Sequence, residues 1–89
     1  SERDRVRLIT AAKSAQSVVL LCRGDGAVHS RRNWDQMVRR GARVKVFLVN
    51  NGVDPRHVRL FVRSTGAFVA NNKTAAGRAK NRRVEIHFG

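Results

Sequence analysis

Apolar residues form two different patterns in the first part of the chain. Residues 2–15 carry apolar side chains at helical spacing and place Glu2 and Asp4 in the first turn, where the helix dipole favours acidic groups. This pattern predicts a helix. Residues 17–22 form a nearly continuous apolar run that stops at the Gly-Asp-Gly of residues 24–26. Such a run predicts a strand that is buried on both faces and followed by a tight turn.

The longest predicted helix extends from Asn33 to about Asn50, because apolar and small residues recur there at intervals of three and four. The positions predicted to face the core are Trp34, Met37, Gly41, Val44 and Leu48. Gly52 tolerates the positive φ that often ends a helix, and Pro55 follows where a helix cannot continue.

Alternation at every second residue predicts further strands. Residues 58–64 alternate apolar and basic side chains, which puts Arg59 and Arg63 on an open face. The rest of the chain is predicted to form a loop, a short helix and a last strand, at residues 66–72, 74–81 and 84–88. This order predicts an α/β fold of the two-layer α+β type, with helices packed on a small mixed sheet. A strand preceding residue 1 is expected to complete the sheet.

The chain of 89 residues is strongly basic, with 19 Lys and Arg against 6 Asp and Glu and a formal net charge of +13. Fifteen of these cations are Arg, whose planar guanidinium favours forked pairing with carboxylates and phosphates. An acidic or polyanionic partner is therefore expected. Charge alone does not select among nucleic acid, an anionic membrane surface and a carboxylate-bearing polymer.

Side chains that commonly carry catalysis or bind metals are sparse. Cys22 is the single cysteine and lies in an apolar run, so it is predicted to be a buried structural thiol. His29, His57 and His87 are not at metal-ligand spacing, and no Ser/His/Asp, Cys/His or paired-carboxylate set suggests catalysis. We expect no enzyme activity, no metal and no cofactor.

The C-terminal segment carries the most specific motif. NNKT at residues 71–74 precedes GRAKNRRVEIHF at residues 77–88, and the string resembles the closing signature of OmpA-like domains, in which Asn and Thr lead into GRxxNRRVE. GVDP at residues 52–55 resembles the turn that ends the long helix of that family. The resemblance covers residues 17–88. It implies that residues 1–89 form one OmpA-like domain, of the type in OmpA, MotB and Pal, which binds peptidoglycan in the periplasm.

The resemblance also implies binding residues. Family members carry a Gly-His-Thr-Asp turn and, further on, Asn-x-x-Leu-Ser-x-x-Arg-Ala; Asp25, Asn33 and Arg40 stand at the Asp, the Asn and the Arg. In the family the Asp and the Arg hold the free amino-acid end of meso-diaminopimelate in the peptidoglycan stem peptide. The same role is therefore expected of Asp25 and Arg40. Asn33 lies seven residues before Arg40, on the same face of the predicted helix.

Around Asp25 the chain departs from the family pattern, because Arg23 and Gly24 replace the His and the Thr. Arg23 is expected to pair with Asp25 and to compete with the ammonium group of the ligand, which makes a weakened or altered ligand preference a hypothesis. Secondary ligand contacts are predicted for Gly24, Arg23 and Arg83.

Three functions are compatible with the sequence. The leading one is a noncatalytic module that anchors an envelope protein, or a secretion or motor assembly, to peptidoglycan. Its membrane attachment, to the inner or outer membrane, would lie outside residues 1–89, and other envelope proteins would be its partners. The second is an OmpA-like scaffold that has lost peptidoglycan binding and docks a partner protein through its basic surface. Nucleic-acid binding is the third and least favoured, because aromatic residues are few and no nucleic-acid motif is present.

Overall fold

Helices and strands alternate along the chain in the predicted order. The computed structural model describes residues 1–24, 31–63, 70–71 and 73–89. Its elements are α1 (Glu2–Ser14), β1 (Val18–Arg23), α2 (Arg31–Asn50), a 3-10 turn (Pro55–His57), β2 (Val58–Arg63), α3 (Ala75–Asn81) and β3 (Arg83–Phe88). The predicted α+β fold, with helices on a small mixed sheet, is confirmed. Most of the tight turn predicted at residues 24–26, and most of the loop predicted at 66–72, lie outside the described residues.

The strands of the described chain form one mixed sheet in the order β2-β1-β3. β1 runs parallel to β2 and antiparallel to β3, and α2 supplies the crossover that a parallel pair needs. The register sets Leu21 beside Phe61 on one side and Glu85 on the other. Residues directly opposite each other share a face, so each row of three residues across the sheet lies on one side of it.

One face of the sheet is covered by α1 and α2 and forms the core. Leu20 of β1 and Leu48 of α2 are both 0% exposed and belong to one buried cluster. The other buried members of that cluster are Ala12, Val18, Val53 and Val58. The core is therefore a single layer of apolar contacts between two helices and one side of the sheet.

The opposite side of the sheet, which we name the open face, is left uncovered by α1 and α2. Its residues are Val19, Leu21, Arg23, Arg59, Phe61, Arg63, Arg83, Glu85 and His87. The placement of Arg59 and Arg63 on an open face is confirmed. The prediction that the first strand is buried on both faces is wrong, because Val19 and Leu21 are only half-buried. An apolar run does not reveal which of its faces a second layer will cover.

α2 lies close to the sheet at Gly41. A Cβ built on this residue would lie 2.3 Å from Cys22 Sγ and 2.6 Å from Leu60 Cδ1, so the contact depends on glycine. Of the predicted core positions, Met37, Gly41 and Leu48 are buried and Val44 is half-buried. Cys22 is 1% exposed, which confirms that it is a buried thiol.

Trp34 does not reach the core. It is 49% exposed, so the prediction that it faces the core is wrong. α2 contacts Cys22 at Gly41, and Trp34 lies seven residues, about 10 Å, nearer to the helix N-terminus. β1 ends at Arg23, one residue beyond Cys22. Helical periodicity groups Trp34 with Met37 and Gly41, but it does not show how far along the helix the packing extends.

The C-terminus of α2 is closed by a Schellman motif. Gly52 has a φ of 97° and donates its N–H to the Val49 carbonyl at 3.1 Å, while the Val53 N–H donates to the Leu48 carbonyl at 3.1 Å. Val53 then enters the core beside Leu48. The motif predicted from Gly52 thus reverses the chain toward β2.

Candidate ligand-binding site

Asn33 and Arg40 lie on one side of α2. Both are half-buried, and their seven-residue spacing corresponds to about two helical turns. Arg40 directly precedes Gly41, where the helix contacts Cys22 near the end of β1. Asp25, the third predicted ligand residue, lies outside the described residues and follows Gly24 directly in the chain. The structure therefore places Arg40 and Asn33 on a common helix flank, at the end of the sheet from which residue 25 continues.

The charge of Arg40 acts on the end of β1. Burial raises the pKa of the Cys22 thiol, while a hydrogen bond with the Gly41 backbone and the positive charge of Arg40 oppose that rise. The net direction is upward, so the thiol is protonated at neutral pH and is a poor nucleophile. Arg40 is half-buried and close enough to Cys22 for its charge to act on the thiol.

Gly24 continues the parallel pairing of β1 beyond its last strand residue. Its N–H donates to the Arg63 carbonyl at 3.1 Å, and the residue is buried. This bond holds the backbone from which Asp25 follows. Since the Gly24 N–H is used within the sheet, a ligand could contact this residue only through its carbonyl or Cα. The predicted secondary contact at Gly24 stays a prediction.

Arg23 and Arg83 lie on the open face, whereas α2 covers the other side of the sheet. Arg23 Nε lies 3.5 Å from Glu85 Oε2, and Arg83 Nη2 forms a close ion pair with the same oxygen. His87 Nε2 lies 3.2 Å from Glu85 Oε1. The hydrogen bond with His87, together with the bond from Arg83 and the charge of Arg23, holds the pKa of Glu85 below its ordinary value although partial burial opposes this.

This Glu85 cluster, composed of Arg23, Arg83, Glu85 and His87, was not predicted. The period-2 spacing of Arg83, Glu85 and His87 is a sequence signal that these three share a face. Arg23 joins them only through the register between β1 and β3, which no local pattern reveals. The expected competition of Arg23 for Asp25 stays a hypothesis, and within the described part of the chain Arg23 pairs with Glu85.

The C-terminal signature builds the start of α3. Thr74 caps the helix, since its Oγ1 accepts a hydrogen bond from the Gly77 N–H at 2.9 Å. A Cβ on Gly77 would lie 1.6 Å from the Asn71 carbonyl oxygen, and that oxygen belongs to the backbone. Thr74 and Gly77 of the signature therefore allow the start of α3 to pack against the backbone of Asn71.

Asn81, near the end of the same signature, is the buried polar side chain that ties α3 to the preceding segment. It is 0% exposed. Its Oδ1 accepts from the Ala70 N–H, and its Nδ2 donates to the Ala70 carbonyl, both at 3.1 Å. A buried amide without such partners would be costly. The signature is thus explained by structural roles, and none of these atoms belongs to the flank of Arg40.

Two further observations concern function. Over residues 1–24, 31–63, 70–71 and 73–89, no group of three or more His, Cys, Asp or Glu side chains is placed to hold a metal ion. None of the helices in those ranges combines the length and the apolar character that crossing a membrane requires.

Both the sequence and the fold are similar to those of known proteins. Outer membrane protein A of Bordetella avium is 36% identical over 87 residues, which cover 96% of this chain and 44% of that protein. The chain thus spans less than half the length of this relative. No protein-family model matches the chain.

Several solved structures share the fold. The cell wall anchor of the T6SS from Pseudomonas aeruginosa superposes with a TM-score of 0.69 at 28% identity, over 96% of this chain and 63% of that one. The C-terminal domain of Helicobacter pylori MotB superposes with a TM-score of 0.77 over 98% of this chain and 70% of that one, and its 21% identity makes this a likeness of fold. The similarity to outer membrane protein A and to the T6SS cell wall anchor supports an OmpA-like domain, and the MotB superposition shows the same fold.

Proposed function

We propose that this domain binds peptidoglycan without catalysis, in the periplasm, and anchors an envelope protein to the cell wall. Asp25 and Arg40 hold the diaminopimelate of the stem peptide. The observation that carries this proposal is the half-buried Arg40, which lies at the end of β1 on the same α2 flank as Asn33. The similarity to outer membrane protein A and to a T6SS cell wall anchor supports it.

The ligand chemistry suits one acid and one base. The free end of diaminopimelate carries an ammonium and a carboxylate on the same carbon. Arg40 can fork onto the carboxylate, and Asp25 can accept from the ammonium. A charge-assisted hydrogen bond at a partly shielded site contributes about 1.5 to 3 kcal/mol, and much less when fully exposed. The half-buried position of Arg40 therefore favours a specific contact over loose attraction.

Asn33 lies on the same flank of α2, about two helical turns from Arg40. Seven helical residues span about 10 Å, so Asn33 and Arg40 do not both reach one carboxylate. We assign Asn33 a hydrogen bond to another part of the stem peptide. This role predicts a smaller loss of binding for Asn33→Ala than for Arg40→Ala.

The test pairs Arg40→Ala with Arg39→Ala, its matched control. Both variants remove one Arg from adjacent positions of α2, but Arg39 is exposed on the solvent side. A soluble muropeptide containing meso-diaminopimelate should shift the amide signals of Gly24 and Arg40 in an NMR titration. Arg40→Ala should weaken binding by roughly tenfold or more, and Arg39→Ala should change it little.

A second ligand separates specific recognition from general attraction. A muropeptide with lysine in place of diaminopimelate keeps the ammonium and lacks the neighbouring carboxylate, so it should bind clearly more weakly. Equal binding of both muropeptides, or equal retention of wild type, Arg39→Ala and Arg40→Ala on purified sacculi, would refute the pocket and favour a scaffold that adheres through its charge.

A further inference from the structure

The outer edge of β2 presents backbone groups that no described strand pairs. Among the described strands, β2 pairs with β1 only and lies at the edge of the sheet. The Arg63 carbonyl points toward β1, because it accepts the Gly24 N–H at 3.1 Å. Backbone groups of successive strand residues point to alternate sides. The N–H and C=O groups of Leu60 and Val62 therefore point away from β1, toward the outer edge.

The side chain of Arg63 covers part of this edge. Its Nη1 donates to the Val62 carbonyl at 3.3 Å, which agrees with the outward direction of that carbonyl. Charged side chains on edge strands discourage uncontrolled pairing with other chains. A guanidinium held by one long hydrogen bond to a neutral carbonyl is also easily drawn to a carboxylate.

Three exposed side chains follow the edge on the open face. Arg59, Phe61 and Arg63 stand at every second residue of β2, about 6 to 7 Å apart, and Phe61 is 44% exposed. Glu85 is the acidic residue of the open face, and it is already engaged by Arg23 and Arg83. The edge therefore combines an exposed aromatic ring with flanking positive charge that the open face does not neutralise.

A recess adjoins Phe61 and has room for a partner side chain. Its volume is about 420 Å³, and it lies where β1 and β2 begin. It is lined by Gln16, Ser17, Val19, Arg56, His57, Arg59 and Phe61. Val19 and Phe61 give the recess an apolar part, and Arg56 and Arg59 add positive charge, which suits an apolar residue flanked by acids.

We propose that the outer edge of β2 binds an extended acidic segment of a partner protein as an added strand. The segment hydrogen-bonds to the backbone of Leu60 and Val62, and its side chains follow the order acidic, apolar, acidic at every second residue. The two acidic groups pair with Arg59 and Arg63, and the apolar group packs on Phe61.

The charges of Arg59 and Arg63 also determine which kind of partner can bind at this edge. A second copy of this strand, paired antiparallel around Phe61, would bring Arg59 of one chain opposite Arg63 of the other, and like charges in that position repel. A nonspecific polyanion would satisfy the two Arg residues but would use neither the backbone groups nor the aromatic ring. The site does not involve Arg40, so it is independent of peptidoglycan binding.

The experiment uses the 89-residue chain and three synthetic peptides. The first is acetyl-Glu-Val-Leu-Val-Glu-amide, the second replaces both Glu by Lys, and the third keeps both Glu but places Pro at the two Val positions. Pro donates no backbone hydrogen bond, so the third peptide retains the charge but cannot add as a strand. Only the first peptide should shift the amides of Leu60 and Val62 in an NMR titration and slow their hydrogen exchange.

Protein variants complete the test. Arg59→Glu combined with Arg63→Glu should weaken binding of the first peptide by roughly tenfold or more. Its control is Arg39→Glu combined with Arg43→Glu, an equal charge change at exposed positions of α2, which should leave binding nearly unchanged. Equal binding of the Pro peptide, or equal losses in both double variants, would overturn the proposal in favour of general electrostatic attraction. An oligonucleotide that protects the same two amides as strongly would overturn it in favour of nucleic acid.

Discussion

The two faces of the sheet are built from alternate residues of the same strands, yet they obey different constraints. On the covered face, Leu20 is fully buried under α1 and α2. On the open face, its neighbour Leu21 lies between an exposed Phe61 and the charged Glu85. Packing dictates residue size on the first face, whereas charge and surface chemistry dictate residue type on the second. Stability and binding should therefore respond to substitutions on different faces.

The largest effect is expected from Leu48→Ala. Leu48 is 0% exposed, so truncation leaves a cavity and should lower the free energy of unfolding by about 2 to 5 kcal/mol. Val46 is the control, since it lies on the same helix and is 57% exposed; Val46→Ala should change stability by no more than about 0.5 kcal/mol. Urea unfolding followed by circular dichroism measures both. Similar losses in the two variants would contradict the assignment of the core.

A somewhat smaller loss is expected from Gly41→Ala. The added Cβ would fall 2.3 Å from Cys22 Sγ, so α2 or the strand must shift, at a cost of about 1 to 3 kcal/mol. Cys22→Ala removes the clashing sulfur. The double variant should therefore lose less stability than the two single variants together. Strict additivity in the same unfolding assay would mean that the contact with Cys22 does not set the cost of the added Cβ, which also approaches Leu60 Cδ1 to 2.6 Å.

The element order could be predicted from the sequence because each element has its own periodicity. The alternation in residues 58–64 even assigned Arg59 and Arg63 to the open face. The errors arise where tertiary structure decides. Trp34 shares the helix direction of Met37, but no pattern in the helix tells where the neighbouring sheet ends. The burial of β1 on one face only likewise depends on which side the helices occupy.

For the same reason, the helical part of the candidate site could be predicted from the sequence and the contacts between strands could not. The seven-residue spacing was enough to put Asn33 and Arg40 on one flank of α2, since a helix is local. The pairing of Arg23 with Glu85 joins residues from different strands and follows from their register. The resemblance to OmpA-like domains indicated the C-terminal signature, but only the structure gives Gly77 and Asn81 their packing roles.

On the open face, Glu85→Gln should have a modest effect that depends on pH. The hydrogen bond with His87, together with Arg83 and Arg23, lowers the folded-state pKa of Glu85. The ionised carboxylate therefore stabilises the fold fully above the unfolded-state pKa of about 4.3, and this stabilisation is lost as the pH falls through the folded-state pKa. At pH 7 the variant should be less stable by up to about 1 kcal/mol, and the difference should vanish in strong acid.

Urea titrations between pH 7 and pH 2.5 would show this convergence. Glu2→Gln is the control, because the Glu2–Arg5 pair is largely exposed and should contribute little at any pH. A difference between wild type and Glu85→Gln that stayed constant down to pH 2.5 would mean that the carboxylate charge is not the stabilising feature.

The smallest effect on stability is expected from Arg59→Glu combined with Arg63→Glu. Both side chains are exposed on the open face, so the free energy of unfolding should change by no more than about 0.5 kcal/mol. Removing positive charge from a chain of net charge +13 relieves self-repulsion, which opposes any loss of strand propensity. The same variant is expected to lose binding of the acidic peptide. Unfolding and peptide binding can be measured on one sample. A loss of more than about 1 kcal/mol would mean that the open face contributes to stability and that the division between the two faces does not hold. An unchanged unfolding midpoint with lost binding would place recognition on the face that folding leaves free.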